Sequence, residues 1–278
     1  MPKVYFIQEQ RLLRPVIKSN KKLEVLNDKN IELFTLQPYE QGSFSNTIEI
    51  YAIELSQIFK EKLAESSKIN QELDSSFPRR LFDQKDGISE KEFKQRFDQV
   101  KKIQKALSEF GLLDIEEDSH PTYKSENANA LSVYINDIER KMAVYTEILD
   151  KLKVFTNILN ERRFTFKRIH ISAKDGFKFA TDKGQFLELA DLSSGEQQEV
   201  VMLYELLFKV QPGTLVLVDE PELSLHVVWQ KEFLDDLFQI LKLQDITIII
   251  ATHSPQIINN HWNLTVDLED LNCASTYH

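Results

Sequence analysis

Cysteine is nearly absent from this sequence: of 278 residues, only Cys273 carries a thiol. A single thiol can neither close an internal disulfide nor build a cysteine metal cluster, so Cys273 reads as a free thiol. Long apolar runs are missing too. No stretch reaches the roughly 18 to 20 residues needed to span a bilayer, and the opening MPKVYFIQEQRLLRP lacks the apolar core and cleavage site of a secretory signal. The expected compartment is therefore the cytoplasm, with no membrane partner. Positive charge is in deficit, since 34 Lys and Arg stand against 44 Asp and Glu, a net charge of -10. That balance argues against a surface devoted to a polyanion and leaves nucleic acid an open rather than an expected partner. Glycine is scarce. None of the seven is followed by lysine, so the Gly-x-x-x-x-Gly-Lys loop that cradles phosphates does not occur.

What is present suffices for one sizeable core, with 42% hydrophobic and 28% charged residues. VYFIQEQRLL reads as a buried strand running into a loop at Pro15. From Ile48 to Leu73 the apolar residues fall at helical intervals, and SSFPRRLF is expected to break that helix. A second helix runs from an N-cap at Ser89 to Phe110, with Gly111 as its stop. The third, about Glu126 to Asn160, carries Leu131, Ile138, Tyr145, Leu152 and Leu159 at seven-residue spacing, with Ile135, Met142 and Leu149 between them. Such a stripe serves either a coiled-coil arm or an internal helix-on-helix core, and the matching face of the first helix favours the core.

After Arg163 the period changes. FTFKRIHIS, FKFATD and KGQFLEL alternate like the strands of a β-meander or hairpin. Then follow a helix (Glu196 to Val210), a strand (Thr214 to Val218), a helix (Val228 to Leu243) and a strand (Thr247 to Ala251). Continuous apolar strands alternating with helices predict an α/β fold with a parallel sheet covered on both faces.

Chemistry concentrates at two strand tips. TLVLVDEPELSLH places Asp219 and Glu220 at the carboxyl end of an apolar strand, where ligands of open α/β sheets bind. Adjacent carboxylates repel each other unless a cation or water engages them. Asp219 is placed to hold Mg²⁺, directly or through water, and Glu220 to take a proton from a water attacking a phosphoryl group. ITIIIATHSP repeats the device, ending in Thr252 and His253 before Pro255 stops the ladder. An imidazole there can donate to a terminal phosphate oxygen or orient the attacking water.

LSSGEQ before a helix, then LVLVDEPELSLH, then IIIATHSP, resembles in order and spacing the signature, Walker B, D-loop and H-loop series of ABC-type ATPases, the superfamily that includes RecF and SMC proteins. The wording is most similar to soluble bacterial AAA family ATPases of the OLD-like and Septu-like groups, many of which sit beside nucleases in phage-defence loci. The resemblance is specific over about residues 163 to 260 and weaker over the first 15. It implies an ABC-type ATPase domain over 1–47 and 162–278, lacking its Walker A lobe, with a helical insertion at 48–161. It implies ATP and Mg²⁺ as ligands. Ser193, Ser194, Gly195 and Glu196 would form a signature facing the γ-phosphate bound by an opposing protomer, the helix dipole assisting, and Gln10 would be the Q-loop glutamine. A serine N-cap with a capping-box glutamate or glutamine is the local reading of SSGEQ, and it is compatible with that role. Two positions depart from the pattern: Ser194 stands where glycine is commoner, and His226 where the transporter D-loop ends in aspartate, so transporter-type contacts between protomers need not transfer.

The missing phosphate loop has three explanations: a split gene whose partner carries Walker A, a truncated or alternatively started form, or a degenerate scaffold. Retention of Asp219, Glu220 and His253 favours the first two. Expected partners are a Walker A-bearing fragment or subunit, a second copy through an ATP sandwich, and a nuclease effector. The competing functions are an interaction module without hydrolysis and a RecF- or SMC-like ATPase of DNA repair. The latter would draw on the basic stretches FPRRLF, ERRFTFKR and KQRFDQVKKIQK, which read better as solvated faces.

Overall fold

A computed structural model describes residues 3–7, 13–15, 44–113, 121–223 and 225–267. In chain order, strands β1 (Lys3–Ile7), β2 (Leu13–Pro15) and β3 (Phe44–Asn46) precede helices α1 (Thr47–Asp83), α2 (Glu90–Glu109) and α3 (Ala128–Asn157). Strands β4 (Lys167–Ser172), β5 (Gly176–Thr181) and β6 (Phe186–Leu187) follow, then α4 (Ser194–Tyr204), β7 (Thr214–Asp219), α5 (Val227–Gln230), α6 (Phe233–Leu241), β8 (Ile246–Ala251) and α7 (Pro255–Ile258). The fold is α/β, a parallel sheet flanked by helices.

That sheet has the order β1-β7-β8, all parallel, with Phe6 opposite Leu217 and Leu217 opposite Ile249. Strand pleating sends alternate side chains to opposite faces. One face carries Ile7, Val216 and Val218, buried in the core that also holds Val200 and Leu203 of α4 and Phe233, Leu237 and Ile240 of α6. The other is open: Val4 is 41% exposed, Phe6 51% and Ile249 56%. Coverage on both faces and a buried first strand, expected from the apolar runs, are therefore corrected. β1 is an edge strand whose apolar residues divide between a buried and an open face, a difference that hydropathy cannot register.

Of the meander and the hairpin that the alternation allows, the structure holds a meander, β4-β5-β6 in antiparallel order. Its first turn docks on α1. Ser56 Oγ donates to the carbonyls of Ala173 (2.9 Å) and Lys174 (3.0 Å), and Gly176, at φ +70°, comes so near that a Cβ would stand 1.8 Å from the Ala52 carbonyl oxygen. Only glycine fits there.

α3 packs along both α1 and α2. Leu131, Ile135, Met142, Tyr145, Leu149, Leu152 and Leu159 are buried, so the seven-residue stripe serves an internal core. α2 starts and stops as its sequence dictates, with Ser89 Oγ accepting from the Glu92 N–H (3.3 Å) and Gly111 at φ +64°.

SSFPRRLF does not end α1, which runs on to Asp83 with Pro78 inside it. Proline removes one N–H, the one that would bond to the Asp74 carbonyl, and crowds the preceding turn; side chains bond to the two carbonyls before it. Ser75 and Ser76 hydroxyls donate to Glu72 O (3.0 and 2.8 Å), and Arg80 Nη2 donates to Leu73 O (2.7 Å). Both Arg80 Nη atoms also bond to the Asp137 carboxylate, holding the distal end of α1 against α3. The single helix expected from Val228 to Leu243 is split into α5 and α6. Gln230 turns inward to donate to Glu222 O and Leu225 O (both 3.2 Å), while Asn259 Nδ2 takes the Lys231 carbonyl (2.9 Å). α3 and α4 both end in wider, π-type turns, over Ile158–Arg163 and Glu205–Lys209. Gln244 Nε2 bonds to two carbonyls of the second turn, Leu206 O (2.7 Å) and Leu207 O (2.9 Å).

Candidate functional site

α4 begins as its first residues require. Ser193 is the N-cap, its Oγ accepting from the Glu196 N–H (3.4 Å), while Glu196 Oε2 accepts from the Ser193 N–H (2.8 Å) and hydroxyl (2.9 Å). Sequence reasoning missed the third member, Lys167 on β4, whose Nζ lies 2.9 and 2.7 Å from the two Glu196 carboxylate oxygens. Burial disfavours the charged form of Glu196. The Lys167 ammonium and the Ser193 N–H and hydroxyl outweigh it and hold the carboxyl below its ordinary range. Glu196 is thus turned back on its own loop, fixing Ser193, while Ser193 and Ser194 stay exposed and Gly195 half-buried at the helix N-terminus.

Beyond its first turn α4 is buried on every side, with Val200 to Tyr204 at most 1% exposed. The helical region grips it through polar contacts. Asn46 Nδ2 donates to Gln197 Oε1 (3.0 Å), the Tyr51 hydroxyl donates to Glu205 Oε1 (2.5 Å), and the Tyr51 ring stacks on Tyr204 with centroids 4.5 Å apart. Lys209 pairs with Glu54 at 2.9 Å.

The second group lies at the carboxyl ends of β7 and β8. These strands are adjacent and parallel, with Asp219 opposite Ala251, and the Glu220 N–H donates to the Ala251 carbonyl (2.9 Å), extending the ladder one residue past β7. Asp219, Glu220 and His253 therefore meet at one edge, with His253 Nε2 3.9 Å from Glu220 Oε1. Glu220 has φ +42°, the left-handed region that costs a side-chain-bearing residue energy and recurs at functional sites. The turn is tight, since the Leu223 N–H donates to Glu220 O (3.1 Å). The His253 side chain is 93% exposed and that of Glu220 41%, so both face the space beyond the strand tips.

Sequence reasoning also missed Glu222. Its Oε2 accepts from the Thr252 hydroxyl (2.8 Å) and its Oε1 from the His253 N–H (2.9 Å), tying the segment after β7 to the segment after β8. No spacing rule marks it, because a loop carboxylate's partner is set by the crossing of two chain segments.

The structure thus brings Asp219, Glu220 and His253 together and sets Ser193, Ser194, Gly195 and Glu196 in a second group around Lys167. Gln10 lies outside the described residues. Among the described residues no three His, Cys, Asp or Glu side chains converge to bind a metal ion unaided. A Mg²⁺ ion accompanying phosphates fits such a site, because it takes one or two carboxylates and completes its shell with water and phosphate oxygens. Asp219, exposed at the tip of β7, is the carboxylate available to it.

Among the described residues, no helix is long and apolar enough to cross a membrane. One curated relative is the zinc uptake system ATP-binding protein ZurA of Listeria monocytogenes, 22% identical over 121 residues, which take in 42% of this chain and 46% of that protein. The chain thus matches about half the length of this relative. The profile of a family described as "AAA domain, putative AbiEii toxin, Type IV TA system" matches residues 15–259. The match covers most of the chain and agrees with the parallel sheet and its acidic strand tip: the chain belongs to this family of AAA-type ATPase domains.

Proposed function

We propose that the chain is the signature, Walker B, D-loop and H-loop part of an ATP-hydrolysing nucleotide sandwich. The observation that carries this reading is the meeting of Glu220 and His253, 3.9 Å apart across adjacent parallel strands, with Glu220 held at φ +42° beside Asp219. Glu220 is the general base that takes a proton from water. His253 donates to the terminal phosphate and orients that water. Asp219 binds Mg²⁺, directly or through water, and the ion neutralises phosphate charge when present. Ser193, Ser194 and Gly195 face the nucleotide of a second copy, with Glu196 and Lys167 holding the loop in shape. In this reading residues 1–47 and 162–278 form the ATPase unit and 48–161 the helical insertion, which grips α4 and passes its state to an effector, a nuclease in a phage-defence system.

The phosphate loop that this sequence lacks comes from a Walker A-bearing fragment or subunit. The open apolar row Phe6, Leu217 and Ile249, with β1 at the sheet edge, offers that partner a place to pack. The 278 residues alone are then inactive. Calorimetry with Mg²⁺ and a non-hydrolysable ATP analogue should give millimolar binding at best, roughly 4 kcal/mol, and phosphate release should appear only when the Walker A fragment is added. Micromolar binding by the chain alone would contradict the reading, as would a complex that binds ATP without hydrolysing it.

A further inference from the structure

The geometry points to Glu222 as a positioning residue for His253, a role that rests on the ATPase reading above. The His253 side chain is 93% exposed, so its place is inherited from its backbone. That backbone is held from across the gap between the strands: Glu222 Oε1 accepts from the His253 N–H (2.9 Å) and Oε2 from the Thr252 hydroxyl (2.8 Å). Thr252 Oγ in turn accepts from the Ser254 N–H (3.0 Å), and the Ser254 hydroxyl donates to Gln230 Oε1 (3.1 Å). Buried Gln230 closes the ring by donating to Glu222 O (3.2 Å) and Leu225 O (3.2 Å).

A carboxylate suits this place because it accepts two hydrogen bonds at once and presents no donor to either, and bonds to a charged acceptor are the stronger kind. The ring has a mechanical consequence. Glu222 stands two residues after Glu220 in the tight turn closed by the Leu223 N–H, so a shift of that turn moves the proposed base and the imidazole together rather than one past the other. Pro221 and Pro255 stiffen the two segments that the ring joins.

The clamp is tested on the full chain by amide exchange of His253, read by nuclear magnetic resonance in Glu222→Ala and Glu222→Gln. Glu222→Ala should speed exchange about tenfold or more, the loss of one hydrogen bond to a charged acceptor. Glu222→Gln keeps one carbonyl oxygen for the His253 N–H and should stay within about threefold. Unchanged exchange in a folded Glu222→Ala chain overturns the clamp. In the complex completed by a Walker A fragment, Glu222→Ala should lower kcat about tenfold or more with KM for ATP unchanged, and Glu222→Gln should recover most of it. An equal loss in both variants, or a loss confined to KM, overturns the positioning role. A wild-type complex that fails to hydrolyse ATP overturns the ATPase reading instead, and the exchange result still decides the clamp.

Discussion

Replacing Gly176 with alanine tests how the meander is fastened to the helices. The new Cβ would lie 1.8 Å from Ala52 O, 2.8 Å from Ala52 C and 3.1 Å from Ser56 N, all backbone atoms of α1 that cannot rotate away. Since carbon atoms in contact settle at roughly 3.5 Å, the turn must retreat from α1 by more than about 1 Å. Three costs follow. The left-handed backbone, φ +70°, costs alanine about 1 kcal/mol more than glycine. Retreat strains or breaks the two Ser56 hydrogen bonds, worth about 1 kcal/mol each. It also loosens the fully buried Phe177, whose ring packs on Phe155 and Tyr204, adding about 1 to 3 kcal/mol. The total, about 4 to 6 kcal/mol, rivals the whole stability of many domains. Gly184→Ala is the control, because Gly184 has φ +78° with nothing within 4 Å and should lose only about 1 kcal/mol. Urea unfolding followed by circular dichroism, with the slope of the transition compared between variants, measures both losses. If Gly176→Ala falls within about 1 kcal/mol of Gly184→Ala, the close approach to α1 is not what joins these elements.

Three further perturbations address the site. Glu220→Gln, in a complex carrying Walker A, should keep ATP binding while phosphate release falls by roughly 10² or more, whereas Glu220→Gly should unfold at higher urea by about 1 kcal/mol, because glycine accepts φ +42° without strain. Unchanged hydrolysis in the first variant removes Glu220 from the role of base, and a destabilised second variant removes the strain. Glu196 makes the loop at the start of α4 acid-sensitive. Its carboxyl is held below the ordinary value of 4.5, so its contribution to stability is complete above that pH and is lost as pH falls through the lower folded value. Lys167→Met removes a main source of that depression, and its stability should fall less steeply than the wild type's between about pH 5 and 3. Parallel curves would show that the Lys167 to Glu196 pair does not act on folding.

Tyr51, Glu54 and Asn46 hold α4 through side chains near the start of α1, and Gly176 and Ser56 hold the meander a turn further on. The same stretch of α1 therefore touches both the helix that follows Ser193 and the sheet that supplies Lys167.

The sequence by itself determined the type and order of most elements and which side chains stand at the strand tips. Periodicity alone separates the helices of 48–161 from the strands that follow, because a buried stripe at 3.6 residues and an alternation at 2 are different one-dimensional patterns. Asp219, Glu220 and His253 were legible because each follows an apolar strand, and parallel strands end on the same side of a sheet. What only the tertiary structure decided are the contacts between elements distant in the chain. The partnership of Lys167 with Glu196 depends on where β4 lies beside α4, and that of Glu222 with His253 on how two turns cross. The bonding of Arg80, beyond Pro78 in α1, to Asp137 of another helix depends on how α1 and α3 lie together. The open face of the sheet follows from which elements pack on which side. The physical reason is common to all four: hydropathy along a chain records how much a residue gains by leaving water, whereas hydrogen bonds and ion pairs depend on which groups the fold brings within about 3 Å of each other.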